Sequence, residues 1–354
     1  MDFSLTDTQT AVGDLARQVL VEHGGHERAE EMDARDGIDI AAWEALGATG
    51  LLAAIAGEDG GVVAAAQLAA EIGRRVVTVP AWALLTSLLT VGDAPLGEPM
   101  ARRLLDGTEM LTLALHEIGV PDVRRLNTFV ADDGTVTGSK PNVAALSAST
   151  GALVAASGHA CTRLYLVDLQ QPEITMEPVH TTDRGNAAHL TMSAAQAIPV
   201  GDEAALRRAE QVAIVLVCAT LIGLGERATA GAGAYISGRQ QFGRPISSFQ
   251  APLMRLADAH IDLEAMRVTM LRAAWCLDTG RDADAEVSTA KWWAAEGAHR
   301  ILSTAQHLHG GIGADVSYPA HRYFLRGKQL IDTLGGAAVH AERLGAVLAG
   351  WMSR

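Results

Sequence analysis

The residues best suited to chemistry stand at positions 239–250, where the chain reads RQQFGRPISSFQ. Arg239 at a helix end presents a planar fork of donors that suits a pyrophosphate. Gly243 and Pro245 impose a sharp turn, and Phe242 and Phe249 can wall a planar or adenine-bearing ligand. Taken alone, the string reads equally well as a helix-turn-helix junction with a solvated arginine. A second cluster, AQHLHGGIG at 305–313, places His307 and His309 before a run of glycines. With His299 these imidazoles raise metal ligation, but a catalytic zinc wants three protein ligands. No Cys, Asp or Glu joins them at ligand-like spacing, so no metal site is expected. Gly223, Gly225 and Ala228 imitate the opening of a dinucleotide-binding turn, which requires a preceding strand. Glu210 to Ile236 reads instead as one helix whose small residues permit close packing.

The elements that must position these residues follow from composition and periodicity. The chain has 354 residues, 49% of them hydrophobic and 19% charged, enough for a sizeable core and for two or three domains packed without linkers. Its 28 basic and 41 acidic residues leave a net charge of −13, which repels phosphodiester backbones and anionic lipid headgroups. Nucleic-acid binding is not expected. Cys161, Cys218 and Cys276 are too scattered for a disulfide framework or zinc spacing. The start MDFSLTDTQT lacks a charged-then-apolar signal pattern, so a cytoplasmic protein is expected. The longest apolar run, Val212 to Gly225, is shorter than the roughly 18 residues of a membrane span.

From Asp2 to about Gly107 the pattern is helical. Ser4 or Thr6 can cap a first helix bearing Val12, Leu15, Val19 and Leu20 at helical spacing, and Ala41–Leu52 and Val62–Leu89 continue the texture around Gly57, Gly60 and Gly61. Short β-prone segments then follow at 111–115, 128–131, 135–138, 152–156, 164–169 and 174–179, with a hairpin turn at Asp132, Asp133 and Gly134. From about Asp202 the helical signature returns, broken by Gly243–Pro245, by Gly280 and by the glycines at 310–313.

On these segments the chain resembles the acyl-CoA dehydrogenase family, flavoproteins that oxidise an acyl-CoA thioester to its 2,3-enoyl form. MDFSLTDTQTAVGDLARQVL resembles the family's first helix and WEALGATGLLAAIAGEDGG (Trp43 to Gly61) its second segment. RQQFGRPISSFQ resembles its most specific signature and AQHLHGGIG its other cofactor signature, so the likeness covers nearly the whole chain. It implies an α+β fold with an N-terminal helical domain (1–109), a middle β domain (110–200) and a C-terminal four-helix bundle (201–354). It also implies residues that reach across a subunit interface to the ADP portion of FAD held mainly by a neighbouring chain. By position these are Arg239, Phe242, Gln250, Gly310 and Gly311, with Phe249 beside them. His307 replaces the usual glutamine, and imidazole can still donate although it lacks the amide's paired donor and acceptor.

The reaction removes a weakly acidic proton alpha to the thioester while a hydride leaves the beta carbon, so a carboxylate must reach the alpha carbon. The family places it in a loop near the C-terminus, where the position falls on Gly335 in DTLGG, or on the helix before RQQFGRP, where 213–220 read AIVLVCAT. Neither has a glutamate, and no catalytic residue is assigned to this chain. Nearby acids are Glu210, Glu226 (which can simply pair with Arg227) and Asp332. The flavin-ring side departs as well: LHEIGVPDV at 115–123 replaces a Thr-Glu-Pro-containing, Gly-Ser-Asp-ending loop, and after Gly138–Lys140 the chain continues Pro141, Asn142, Val143, Ala144 without the usual tryptophan and threonine. Residues that donate across an interface are kept and those that serve the chain's own flavin are lost.

That asymmetry resembles the base-lacking subunit of α2β2 acyl-CoA dehydrogenases that degrade sterol side chains in bacteria. The resemblance implies a Glu-bearing partner subunit, a shared FAD, an acyl-CoA substrate such as a steroid side-chain ester, and electron-transfer flavoprotein or a similar acceptor. Two other readings stand beside it. A self-sufficient homomer with a displaced base would purify yellow and reduce a dye with acyl-CoA; a non-enzymatic scaffold would hold no flavin in any complex.

Overall fold

The computed structural model describes residues 3–92, 98–120, 123, 126–158 and 161–352. Seven helices come first: α1 (Asp7–Val19), α2 (His26–Asp33), α3 (Ile40–Ala48), α4 (Leu51–Ala56), α5 (Gly61–Arg75), α6 (Ala81–Val91) and α7 (Glu98–Leu105). Thr6, not Ser4, caps α1 through a reciprocal capping box with Gln9. The stretch expected to be helical over Val62–Leu89 is two helices, because Val76 takes a left-handed φ of 54° and Pro80 starts α6.

Seven strands follow: β1 (Leu111–Ala114), β2 (Phe129–Val130), β3 (Thr135–Ala144), β4 (Gly151–Ser157), β5 (Thr162–Asp168), β6 (Ile174–Pro178) and β7 (Ala187–Gly201). β4, β5, β7, β3 and β2 pair in sequence and β2 returns to β4, closing the sheet on itself; β1 joins β4 and β6 joins β7. The Asp132–Gly134 turn forms as expected, with Gly134 at φ 82°. The first six strands match the β-prone segments, with β3 running on to Ala144. β7 is additional. Its alanine-rich sequence has weak β propensity, and pairing with β3, β5 and β6 overrides that.

Five helices complete the chain: α8 (Glu203–Gly238), α9 (Gln250–Asp278), α10 (Asp284–His309), α11 (Ala320–Asp332) and α12 (Ala337–Met352). α8, α9 and α10 pack on one another, α11 lies against α8 and α10, and α12 runs along α10. Gly223 on α8 faces α5 so closely that an added Cβ would collide with the Ala70 carbonyl oxygen, so the glycines here serve helix packing rather than phosphate binding. Among the described residues α8 alone is long and apolar enough to cross a membrane, and 89% of its apolar window is buried inside the protein.

Candidate functional site

The cofactor-type signature forms a hairpin at the end of α8. β8 (Gln240–Gln241) pairs with β9 (Arg244–Pro245), and the two residues between them, Phe242 and Gly243, have φ of 55° and 78°, the left-handed pair that a two-residue hairpin turn requires. Phe242 therefore stands at the tip, 91% exposed. Phe249 props it edge-on at 6.2 Å and carries the Arg244 guanidinium 4.0 Å over its own ring. Arg239 ends α8, its N–H donating to the Tyr235 carbonyl at 2.9 Å and its carbonyl accepting from Ile246 N–H at 2.9 Å.

The second signature lies beside the first. The Tyr235 ring sits 4.8 Å from that of His309, the last residue of α10, which is itself 5.4 Å from Tyr318 and bonded through Nδ1 to the Ala305 carbonyl at 2.7 Å. This stack braces Gly310, whose φ 64° and ψ −144° belong to glycine alone. Arg239, Gln250 and His307 are exposed, and their side chains have no protein partner among the described residues. An aromatic wall, three unspent polar side chains and an exposed glycine turn fit the ADP half of a flavin dinucleotide presented from outside the chain. From this end an apolar stripe runs along α9 at a spacing of seven: Met254, Ile261 and Val268 are 57%, 67% and 47% exposed. Such spacing puts the three on one exposed face of α9.

The segments to which the resemblance assigns the flavin ring and the base line a separate cavity of about 420 Å3. β1 and the residues after it (Leu113–His116), the β3 segment Pro141–Ala144 and Gly335 all face it, together with Trp82 and Arg326. A β-bulge interrupts β3 between Lys140 and Val143, and Asn142, within the segment that lacks the usual tryptophan and threonine, has φ 55°. At the family's base position Gly335 has φ 96°, and an added Cβ would press on Val339 Cγ1 at 3.1 Å and His340 Nε2 at 3.2 Å. Volume permits a ligand here, but the described lining gives a flavin ring neither the hydroxyl donors of the β3 strand nor a glutamate. The residues do not fit a flavin ring held by this chain. Pro121 and Asp122 of the LHEIGVPDV segment lie outside the described residues; Glu117 of the same segment is structural. Its carboxylate accepts from the backbone N–H groups of Asn127 and Thr128 and from Lys140 Nζ at 2.9 Å. Burial opposes its charge, yet these bonds hold Glu117 down at about 2, while burial lowers Lys140 to about 8.

The three acids near the expected base positions separate clearly. Glu226 is locked by Arg74 and Arg267 across three helices, so its pairing with neighbouring Arg227 does not form. Glu210 accepts from Arg343 at 3.0 Å and faces His116 at 3.8 Å, and it lines a different cavity, between α8, α10 and α12. Asp332 alone of the three lines the central cavity, at the exposed end of α11. Sequence reasoning did not find Trp82, Arg326 or the α9 stripe. The heptad spacing of the stripe is visible in the sequence, whereas Trp82 and Arg326 reach the cavity only through tertiary packing.

Residues 208–348 match the family model described as acyl-CoA dehydrogenase, C-terminal domain. Acyl-CoA dehydrogenase FadE27 of Mycobacterium tuberculosis is 31% identical over 99% of each chain, and FadE28 of the same organism 30% identical over 98% of each. Among solved structures, the Tcur3481-Tcur3483 steroid ACAD superposes with a TM-score of 0.93 at 36% identity, covering 99% of this chain and 100% of that one. The ChsE4-ChsE5 complex from Mycobacterium tuberculosis gives a TM-score of 0.90 at 29% identity over 99% of each chain. With likeness running from end to end at these identities, the chain belongs to the acyl-CoA dehydrogenase family.

Proposed function

We propose that this chain is one subunit of a heteromeric, flavin-dependent acyl-CoA dehydrogenase, and that its outer face completes the FAD site of a partner subunit carrying the catalytic glutamate. The observation that carries the reading is the contrast between the two ends of the molecule. Exposed Arg239, Phe242, Gln250, His307, Gly310 and Gly311 are assembled at one, while the loop at Gly335 has no carboxylate at the other. Similarity to a steroid ACAD and to a ChsE4-ChsE5 complex supports the heteromer and a steroid side-chain CoA ester as substrate class. Within this proposal the domains are 1–109, 110–200 and 201–354, the complex works in the cytoplasm, and electron-transfer flavoprotein or a similar acceptor takes the electrons.

FAD, when bound, supplies the hydride acceptor for 2,3-desaturation. This chain's part is to bind and orient. The Arg239 fork neutralises the pyrophosphate, Phe242 and Phe249 cover the adenine, Gln250 and His307 donate to the same half, and the Gly310–Gly311 turn lets backbone approach it. The α9 stripe seats the partner that holds the ring. Purification of the chain alone and with a Glu-bearing relative co-expressed tests the reading, by light scattering and by dye reduction with acyl-CoA. Activity and a four-chain mass only for the pair are expected. A chain that reduces dye alone would instead favour the homomer, with Asp332 the one of the three candidate acids that lines the cavity.

A further inference from the structure

The central cavity has two chemically different ends along α11. Arg326 stands at one, only 8% exposed. One of its N–H groups donates to the Val77 carbonyl at 2.5 Å, and its nearest carboxylate, Asp183, is 3.8 Å away, beyond hydrogen-bond reach. Asp183 Oδ1 accepts from the Thr181 hydroxyl at 2.8 Å and the Gly185 N–H at 3.2 Å, and its Oδ2 is the oxygen that faces Arg326 Nε. Among the described residues the other guanidinium N–H groups of Arg326 make no hydrogen bond to protein, and Arg326 lines both this cavity and a smaller one beside Asp33, His321 and Arg322. Burial lowers the Arg326 pKa, and the Asp183 and Asp33 carboxylates nearby offset only part of that. Asp332 lies six residues further along the helix, about 9 Å by helical rise; it is exposed, makes no side-chain hydrogen bond among the described residues, and interacts electrostatically with buried Lys291. Trp82, Leu113 and Leu330 provide apolar wall.

We propose that this cavity binds a small amphipathic monocarboxylate, with its carboxylate on Arg326 and its apolar body against Trp82, Leu113 and Leu330, and that Asp332 excludes a second carboxylate. The inference rests on the reading that no flavin ring of this chain's own fills the space.

Calorimetric titration of the full chain with hexanoate, 1-hexanol and adipate tests it. Hexanoate should bind roughly tenfold or more tighter than hexanol, the scale of one charge-assisted contact, and adipate should bind roughly tenfold more weakly than hexanoate. Asp332→Asn should restore adipate binding and leave hexanoate unchanged, and Arg326→Gln should erase the preference for hexanoate over hexanol. If Arg326→Gln does not fold, the ligand series on the unaltered chain and Asp332→Asn still decide. Equal binding of hexanol and hexanoate, or no heat from hexanoate at millimolar concentration, would overturn the proposal. A colourless chain that ignores hexanoate sinks this inference alone; a yellow chain with one flavin per chain sinks it together with the proposed function.

Discussion

Two loops, each following a long helix, have opposite characters. The loop after α8 is open: its turn residues project Phe242 into solvent, and Arg239, Gln250 and His307 carry side chains with no partner among the described residues. The loop after α11 is folded into the packing. Leu334 and Gly335 both have positive φ, the Leu334 carbonyl accepts from His340 Nε2 at 3.0 Å, and fully buried Lys291 donates to the carbonyls of Leu330 and Ile331. Polar groups left unspent at a defined geometry are available to a ligand, whereas those absorbed into hydrogen bonds and van der Waals contact are not. One loop leaves polar groups open to solvent and the other is closed into the packing, the contrast from which the proposed function is drawn.

The sharpest way to break that comparison is at the docking stripe. Ile261→Asp places an unpaired charge in the seam and should weaken association with the partner about 1000-fold, roughly 4 kcal/mol, with the isolated chain's unfolding unchanged because the side chain is 67% exposed. Sedimentation of the co-expressed pair checks this, and an intact complex would remove α9 from the interface. Arg239→Ala comes next. It should lower flavin retention by the complex about 100-fold, roughly 3 kcal/mol, without unfolding the chain, as read by flavin absorbance after gel filtration. Unchanged flavin content would count against the role of the outer face.

The inner side carries a pH signature of similar size. Burial holds His340, 1% exposed, down to about 4 from an ordinary 6.5. Between those values the unfolded chain binds the proton that the folded chain refuses, so stability contributed by the neutral imidazole above pH 6.5 is lost as pH falls toward 4, by about 3 kcal/mol. Burial lowers His116 in the same direction. Urea midpoints across this range should fall, and fall less in His340→Gln; parallel slopes would contradict the assignment. Smaller still, Gly335→Glu returns the glutamate to the family's position yet forces a side chain onto φ 96° against Val339 and His340. It should cost about 1–3 kcal/mol and give the isolated chain no dehydrogenase activity. Dye reduction by that variant would show that the inner pocket lacks only its base.

The turn at 239–250 was legible in the sequence because its determinants are local. Twelve consecutive residues hold the turn formers, the aromatic wall and the arginine, and the order of helices and strands follows from short-range periodicity. The pairing of the two signatures was not local: it runs through Tyr235 and His309, whose contact exists only once α8 and α10 pack. Glu226 shows the limit from the other direction. Its sequence neighbour Arg227 points elsewhere, since adjacent helical residues do not share a face, and the true partners are Arg74 and Arg267 on other helices. β7 stayed hidden because alanines carry little strand propensity of their own. The cavity gathers Trp82, Arg326 and the 113–116 segment from three distant stretches, and nothing in their spacing announces it.

The most direct test of the central claim is flavin per chain, measured by absorbance against protein concentration, for the chain alone and for the complex with its Glu-bearing partner. A colourless chain that becomes a yellow tetramer with one FAD per two chains is the predicted result. One FAD per chain in the protein purified alone would contradict it.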